Sequence, residues 1–117
     1  MQFICYAKCG TCKKAEKWLA EKGIEVEKRD IKTEKPSLEE ITSFHKASGL
    51  PLKRFYNTSG QLYKSLALKD KLPTMSEQEQ YELLASDGML VKRPILVSED
   101  FVLVGFKEEE WLAKLDK

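Results

Sequence analysis

Two cysteines stand close together near the start of the chain, in Cys9-Gly10-Thr11-Cys12. The thiolate is the reactive form of cysteine, and an ordinary thiol is mostly protonated at neutral pH. This spacing becomes chemically useful when it opens a helix. There the unpaired backbone N–H groups and the positive end of the helix dipole favour an anion. Lys13 and Lys14 follow directly and add positive charge to the expected first turn. Cys9 is therefore expected to be the exposed attacking thiol. Cys12, facing it from the first turn, would resolve a mixed disulfide formed there. The pair could instead be inert structural thiols, or half of a zinc site. A structural zinc needs four ligands, so Cys5 and the single histidine, His45, would have to complete it. Cys5 falls in an expected strand and reads as a small buried apolar side chain. His45 reads as a surface helix residue with no second ligand beside it in sequence. The spacing favours redox chemistry over either alternative.

The elements that must hold these thiols can be read around them. Gln2 to Tyr6 reads as a short buried strand running into a turn at Lys8 to Gly10. A helix is expected from about Thr11 to Lys22, with Cys12, Ala15, Trp18 and Leu19 on its apolar face and Gly23 as its cap. Ile24, Val26 and Ile31 suggest a second strand, completing a βαβ unit with the cysteines at the start of its helix. Ser37-Leu38-Glu39-Glu40 is a capping-box pattern for a helix ending at Gly49, and Ser76-Glu77-Gln78-Glu79 is another. Between them, Pro51 to Tyr56 suggests a short helix and Asn57-Thr58-Ser59-Gly60 a turn. Strand character returns in Pro94-Ile95-Leu96-Val97 and in Phe101 to Val104, joined by Ser98-Glu99-Asp100 as a tight hairpin. A closing helix carries Glu108, Glu109 and Glu110 near its positive end and Lys114 near its negative end.

The expected fold class is α/β, a mixed sheet built from βαβ and then ββα with an inserted helical subdomain. The chain reads as one domain of residues 1–117. Residues 1–34 and 90–117 form its core, and residues 35–89 form the insertion. At 117 residues the chain is long enough to bury a continuous core. Its 20 basic and 19 acidic residues nearly cancel, which argues against direct nucleic-acid binding. No stretch reads as a signal peptide or a membrane span, so the expected location is cytoplasmic. Three cysteines in such a compartment point to redox or metal chemistry rather than to a disulfide framework.

Tyr6-Ala7-Lys8-Cys9-Gly10-Thr11-Cys12-Lys13-Lys14-Ala15, followed by Trp18-Leu19, resembles the arsenate reductase (ArsC)/Spx family. Lys92-Arg93-Pro94-Ile95-Leu96-Val97 is similar to that family's Arg-Pro strand, and Val104-Gly105-Phe106 to the segment after it. The two motifs together are far more specific than either alone. The resemblance implies a thioredoxin-like fold with a helical insertion, and it covers essentially the whole chain. It implies that Cys9 is the catalytic cysteine, Arg93 the oxyanion-binding arginine, and Pro94 the cis-proline set against that cysteine. A guanidinium offers a planar fork suited to an oxyanion, and Lys13 would assist Arg93 in binding substrate.

The chain departs from the glutaredoxin-coupled arsenate reductases in two places. It offers Lys53 or Arg54, and Gly105, near positions where those enzymes use further arginines. It also carries Cys12 where they commonly have serine. Both departures point away from arsenate and toward dithiol–disulfide exchange or redox sensing. The leading expectation is a thiol–disulfide oxidoreductase that needs no bound cofactor or metal. Thioredoxin, glutaredoxin or glutathione would be its reductant. The alternative is an Spx-like redox-sensing regulator that binds RNA polymerase. An ArsC-like fold without catalysis is a third reading.

Overall fold

The structure, a computed structural model, describes residues 1–115. A four-stranded sheet is assembled from both ends of the chain. Strands β1 (Gln2–Cys5) and β2 (Glu27–Asp30) are joined through helix α1 (Gly10–Glu21), and pair in parallel. Helices α2 (Leu38–Ser48), α3 (Gln61–Ser65), α4 (Leu68–Lys71) and α5 (Glu77–Ser86) follow, with short 3₁₀ turns between them. The chain then returns as the hairpin β3 (Ile95–Val97) and β4 (Val102–Val104) and closes with α6 (Glu108–Leu115). The strand order is β2-β1-β3-β4, with β3 antiparallel to both neighbours. The mixed α/β sheet expected from the sequence is therefore present. The segment between β2 and β3 is helical apart from one isolated bridge, Tyr56 to Val91.

Strand periodicity divides the core into two layers. Successive side chains point to opposite faces of a sheet. Phe3, Leu96 and Leu103 accordingly pack with Ala15, Leu19 and Trp111 under α1 and α6. Ile4, Ile95, Val102 and Val104 pack on the other face with Ile41, Phe44, Phe55 and Leu84 of the middle helices. Trp111 is fully buried, and its indole N–H donates to the Gly105 carbonyl at 2.9 Å. Burial of an aromatic side chain of this size contributes roughly 2–3 kcal/mol. The bond spares its one polar atom the cost of going unpaired.

Both capping boxes form. Ser37 and Glu40 close the start of α2, and Ser76 and Glu79 that of α5, while Gly49 ends α2 with φ of 67°. The second strand is present but shorter than the stretch from Ile24 to Ile31 in which it was expected. It comprises Glu27–Asp30, with Ile24 and Val26 before it and Ile31 after it. The reason lies in its position at the sheet edge. It needs only backbone pairing on one side, and its charged side chains guard an open edge better than apolar ones would. Helices α3 and α4 were not anticipated. Each is only four or five residues long, too short for apolar periodicity to register.

His45 also differs from the expected surface residue. It is half-buried, with Nδ1 2.6 Å from the Tyr81 hydroxyl and its ring edge-on to Phe55. It belongs to the packing between α2 and α5.

Candidate active site

The turn between β1 and α1 is tight. The Cys9 N–H donates to the Tyr6 carbonyl at 3.0 Å, so the chain reverses at once and enters the helix. Cys9 has extended backbone angles and is the N-cap of α1. Its sulfur accepts a hydrogen bond from the Cys12 N–H at 3.4 Å. A sulfur at this position takes the role that a serine or aspartate oxygen plays at other helix starts. Cys12, one turn later, is 3% exposed, and its sulfur accepts from the Tyr6 N–H at 3.4 Å. Cys9 keeps part of its surface in solvent.

These settings push the two thiols in opposite directions. Partial burial works against ionisation of Cys9. The Cys12 backbone N–H, the Cys12 thiol and the Arg93 guanidinium outweigh it and hold Cys9 below the ordinary thiol range. Burial raises Cys12 to about 12, and neighbouring Cys9 and Cys5 reinforce the shift against the help of the Tyr6 N–H. At neutral pH the site therefore holds one thiol biased toward the anion and one firmly protonated.

Arg93 reaches this turn from the start of β3, on the far side of the sequence. Its guanidinium carbon lies 5.0 Å from the centre of the Tyr6 ring, a cation–π contact. Its Nη1 is buried and, among the described residues, has no hydrogen-bond partner. An unpaired guanidinium donor is costly unless an anion occupies it. The Arg93–Pro94 peptide bond is cis. Pro94 is buried, and its carbonyl accepts from the Gly105 N–H at 2.8 Å. Gly105 has φ of 71°, a left-handed conformation that disfavours any side chain.

The structure thus brings Cys9, Cys12 and Arg93 together, with Pro94 adjoining Arg93 in the chain. Lys13 is placed elsewhere. It is exposed and lines a cavity with Cys5 and Cys12, and it is not among the groups that lower Cys9. Helix geometry explains this, since consecutive residues leave a helix roughly 100° apart and Lys13 therefore does not share the inward face of Cys12. Arg54 is committed to a salt bridge with Glu110 at 3.2 Å and to the Val104 carbonyl at 3.3 Å. Lys53 and Gly105 line a neighbouring cavity of about 600 Å³ with Thr11, Lys92 and Lys107. Among the described residues no group of three or more His, Cys, Asp or Glu side chains is placed to hold a metal ion. Sequence reasoning missed Tyr6 as the platform under Arg93. Strand alternation from Ile4 was the one available signal, since it puts Tyr6 on the Ile4 face of the sheet, where it packs with the middle-helix cluster.

A model of the ArsC family matches residues 5–114. The fold superposes on the crystal structure of an ArsC family related protein from Bacteroides fragilis with a TM-score of 0.94. The two are 54% identical, over 96% of this chain and 94% of that one. A structure described as a possible arsenate reductase from Streptococcus mutans gives a TM-score of 0.86 at 43% identity, over 94% and 95% of the two chains. The global transcriptional regulator Spx of Listeria monocytogenes is 31% identical, over 87% of this chain and 76% of its own length.

Proposed function

The chain belongs to the ArsC family, and from that premise we propose that it is a thiol–disulfide oxidoreductase working through Cys9 and Cys12. One observation carries the reading. The half-exposed helix-capping thiol is lowered while the buried thiol one turn away is raised, and an arginine whose buried Nη1 has no partner among the described residues stands beside them. In this mechanism the Cys9 thiolate attacks one sulfur of a substrate disulfide, and the other sulfur leaves as a thiolate that takes up a proton. A mixed disulfide links Cys9 to the substrate. Cys12 then loses its proton and attacks the Cys9 sulfur, and the second substrate sulfur departs reduced. Two electrons have passed to the substrate, and the protein is left with a Cys9–Cys12 disulfide. An external dithiol or thiol returns it to the reduced state, and thioredoxin, glutaredoxin and glutathione fit that chemistry.

Arg93 favours the anion at Cys9 in the resting protein. With its free Nη1 it could also hold an oxyanion or the carboxylate of a bound substrate. Pro94, anchored through Gly105, fixes the strand end from which Arg93 projects. Residues 1–34 and 90–117 form the working core of one domain and residues 35–89 its helical insertion, in a cytoplasmic protein. The described helices include none long and apolar enough to cross a membrane.

The decisive experiment follows reduction of a glutathione mixed disulfide and of arsenate, with thioredoxin or glutathione as reductant. Turnover should vanish in Cys9→Ser, and Cys12→Ser should accumulate the mixed disulfide. The relationship to Spx supports a second reading, a redox-sensing regulator that binds RNA polymerase. Absence of turnover with every substrate and reductant, together with redox-dependent capture of RNA polymerase, would replace the first reading with the second.

A further inference from the structure

Cys5 was expected to be a buried apolar side chain, and it is not. It shares its strand face with Phe3, which is fully buried, yet Cys5 itself is half-exposed. It opens into a cavity of about 440 Å³ whose walls include Cys12, Lys13, Glu16, Lys28 and Asp30. Cys9 does not line this cavity. Cys12 therefore has Cys9 on one side and the Cys5 cavity on the other. The Tyr6 N–H that donates to the Cys12 sulfur at 3.4 Å belongs to the peptide group leaving Cys5. Adding the bond lengths of that peptide puts the Cys12 sulfur no more than about 6 Å from the Cys5 Cα. Rotation of two thiols and a small shift of the helix start would span that distance. Burial raises the Cys5 thiol above its ordinary value, and Lys28, which pairs with Glu16 at 2.6 Å across the cavity mouth, offsets only part of that rise.

We propose that Cys5 is a second resolving thiol, which takes the disulfide from Cys9–Cys12 and holds it as Cys5–Cys12. The step rests on the reading of Cys9 and Cys12 as a redox pair. The Cys5 thiol loses its proton, its sulfur attacks the Cys12 sulfur, and the Cys5–Cys12 bond forms as the Cys9–Cys12 bond breaks. Cys9 leaves as the thiolate its surroundings already favour. No electrons are gained or lost overall, so no further oxidant is required. The consequence is functional. Cys9 becomes free to attack a second substrate before any reductant arrives, and the stored disulfide faces the Cys5 cavity, where a reductant can reach it without crossing the substrate side.

Two measurements test the exchange. In the first, the intact protein receives one equivalent of oxidant at mildly alkaline pH, and linked peptides and Cys9 alkylation are followed with time. Cys9–Cys12 should form first and Cys5–Cys12 should grow at its expense. Cys9 should recover its alkylation at least about tenfold faster than in Cys5→Ser, where no second thiol is present to displace it. A Cys9–Cys12 bond that persists with Cys9 blocked in both proteins overturns the relay and leaves the oxidoreductase reading standing. Failure of Cys9–Cys12 to form at all overturns both.

In the second measurement, Cys9→Ser is treated with glutathione disulfide, so that folding of Cys5→Ser is not required. One remaining thiol takes up glutathione, the other displaces it, and two glutathione thiols are released per Cys5–Cys12 bond. A cross-linked peptide without bound glutathione is the expected product. Glutathione retained on Cys12 or Cys5, or two free thiols, overturns the proposal.

Discussion

Arg29 and Arg93 are two half-buried arginines, one in the edge strand β2 and the other just ahead of β3, and their surroundings are opposite. Arg29, in β2, spends its whole fork. It pairs with both Glu40 oxygens at 2.6 and 2.8 Å, and donates to the Glu34 carbonyl at 2.8 Å and the Lys35 carbonyl at 3.1 Å. Glu40 is at the same time the capping-box acid of α2, accepting from the Ser37 N–H at 3.0 Å. One guanidinium thus fastens the edge strand to the helix and loop that follow it. Arg93 has an aromatic ring beneath it, a thiol beside it and a buried nitrogen with nothing to bond. A satisfied arginine of this kind holds a fold together. An unsatisfied one is held by the fold, ready for a group that arrives later.

The largest effect expected from this contrast is on stability. Arg29→Ala removes the partner of a partly shielded carboxylate and frees two loop carbonyls, and should cost about 2–4 kcal/mol. Chemical denaturation would measure the loss, while the rate of Cys9 alkylation in the remaining folded protein should not change. A large change in that rate would mean that the two arginines are coupled through the sheet.

Acid should weaken the same contact without mutation. Arg29 first, and then the Ser37 N–H against some burial, hold the Glu40 carboxyl down to about 2. A depressed carboxyl contributes stability above its unfolded value, near 4.3, and loses it as the pH falls toward the folded value. Discounted for a side chain that is 35% exposed, the loss should be roughly 1–2 kcal/mol. Denaturation midpoints taken across that window should fall in the parent protein and stay flatter in Glu40→Gln.

Arg93→Ala should do the reverse of Arg29→Ala. It deletes an unpaired buried donor, so thermal stability should change little. It also deletes a charge and a hydrogen bond that favour the Cys9 anion, so the Cys9 pKa should rise. Near neutral pH the alkylation rate should then fall about five- to tenfold. A pH series separates this from a simple loss of access. A raised pKa shifts the whole profile to higher pH and preserves its plateau, whereas blocked access lowers the plateau itself.

Much of this arrangement could be read before any coordinates, and the unread parts have physical causes. Capping boxes at Ser37 and Ser76 are local, since each is satisfied within one helical turn, and both form as written. The hairpin at Ser98 to Asp100 is equally local. Placing Cys9-Gly10-Thr11-Cys12 at a helix start followed from the strand before it and the apolar spacing after it. Arg93 beside Cys9 could be expected only through resemblance to a family, because the contact joins opposite ends of the chain. Lys13 illustrates the limit of nearness in sequence. It lies one residue from Cys12 yet faces the Cys5 cavity. Tyr6 went unread and Cys5 was misread as buried because both lie at the end of β1, where the alternation that buries Phe3 and Ile4 no longer fixes burial, and both are only half-buried.

The smallest expected effect concerns what holds Arg93 in the absence of a ligand. Among the described residues its guanidinium has no carboxylate partner of the kind that fixes Arg29. Its one defined contact besides Cys9 is the face of the Tyr6 ring at 5.0 Å. Replacing that ring by an aliphatic side chain of similar bulk, Tyr6→Leu, keeps the packing against the middle helices and removes only the attraction between cation and ring. Such an attraction is worth about 0.5–1 kcal/mol at a partly exposed site. The substitution should therefore raise the Cys9 pKa by a few tenths, less than Arg93→Ala, because the arginine remains and merely samples more positions. The Tyr6 backbone N–H that bonds the Cys12 sulfur is unchanged in the variant, so the buried thiol should keep its reactivity. If Tyr6→Leu lowered Cys9 reactivity as much as Arg93→Ala does, the ring would be the sole support of the arginine's position. Cooperation in a double variant would confirm that result. Additive effects would instead mean that Tyr6 acts on the thiol by a route independent of Arg93, such as the turn bond from the Cys9 N–H to its carbonyl.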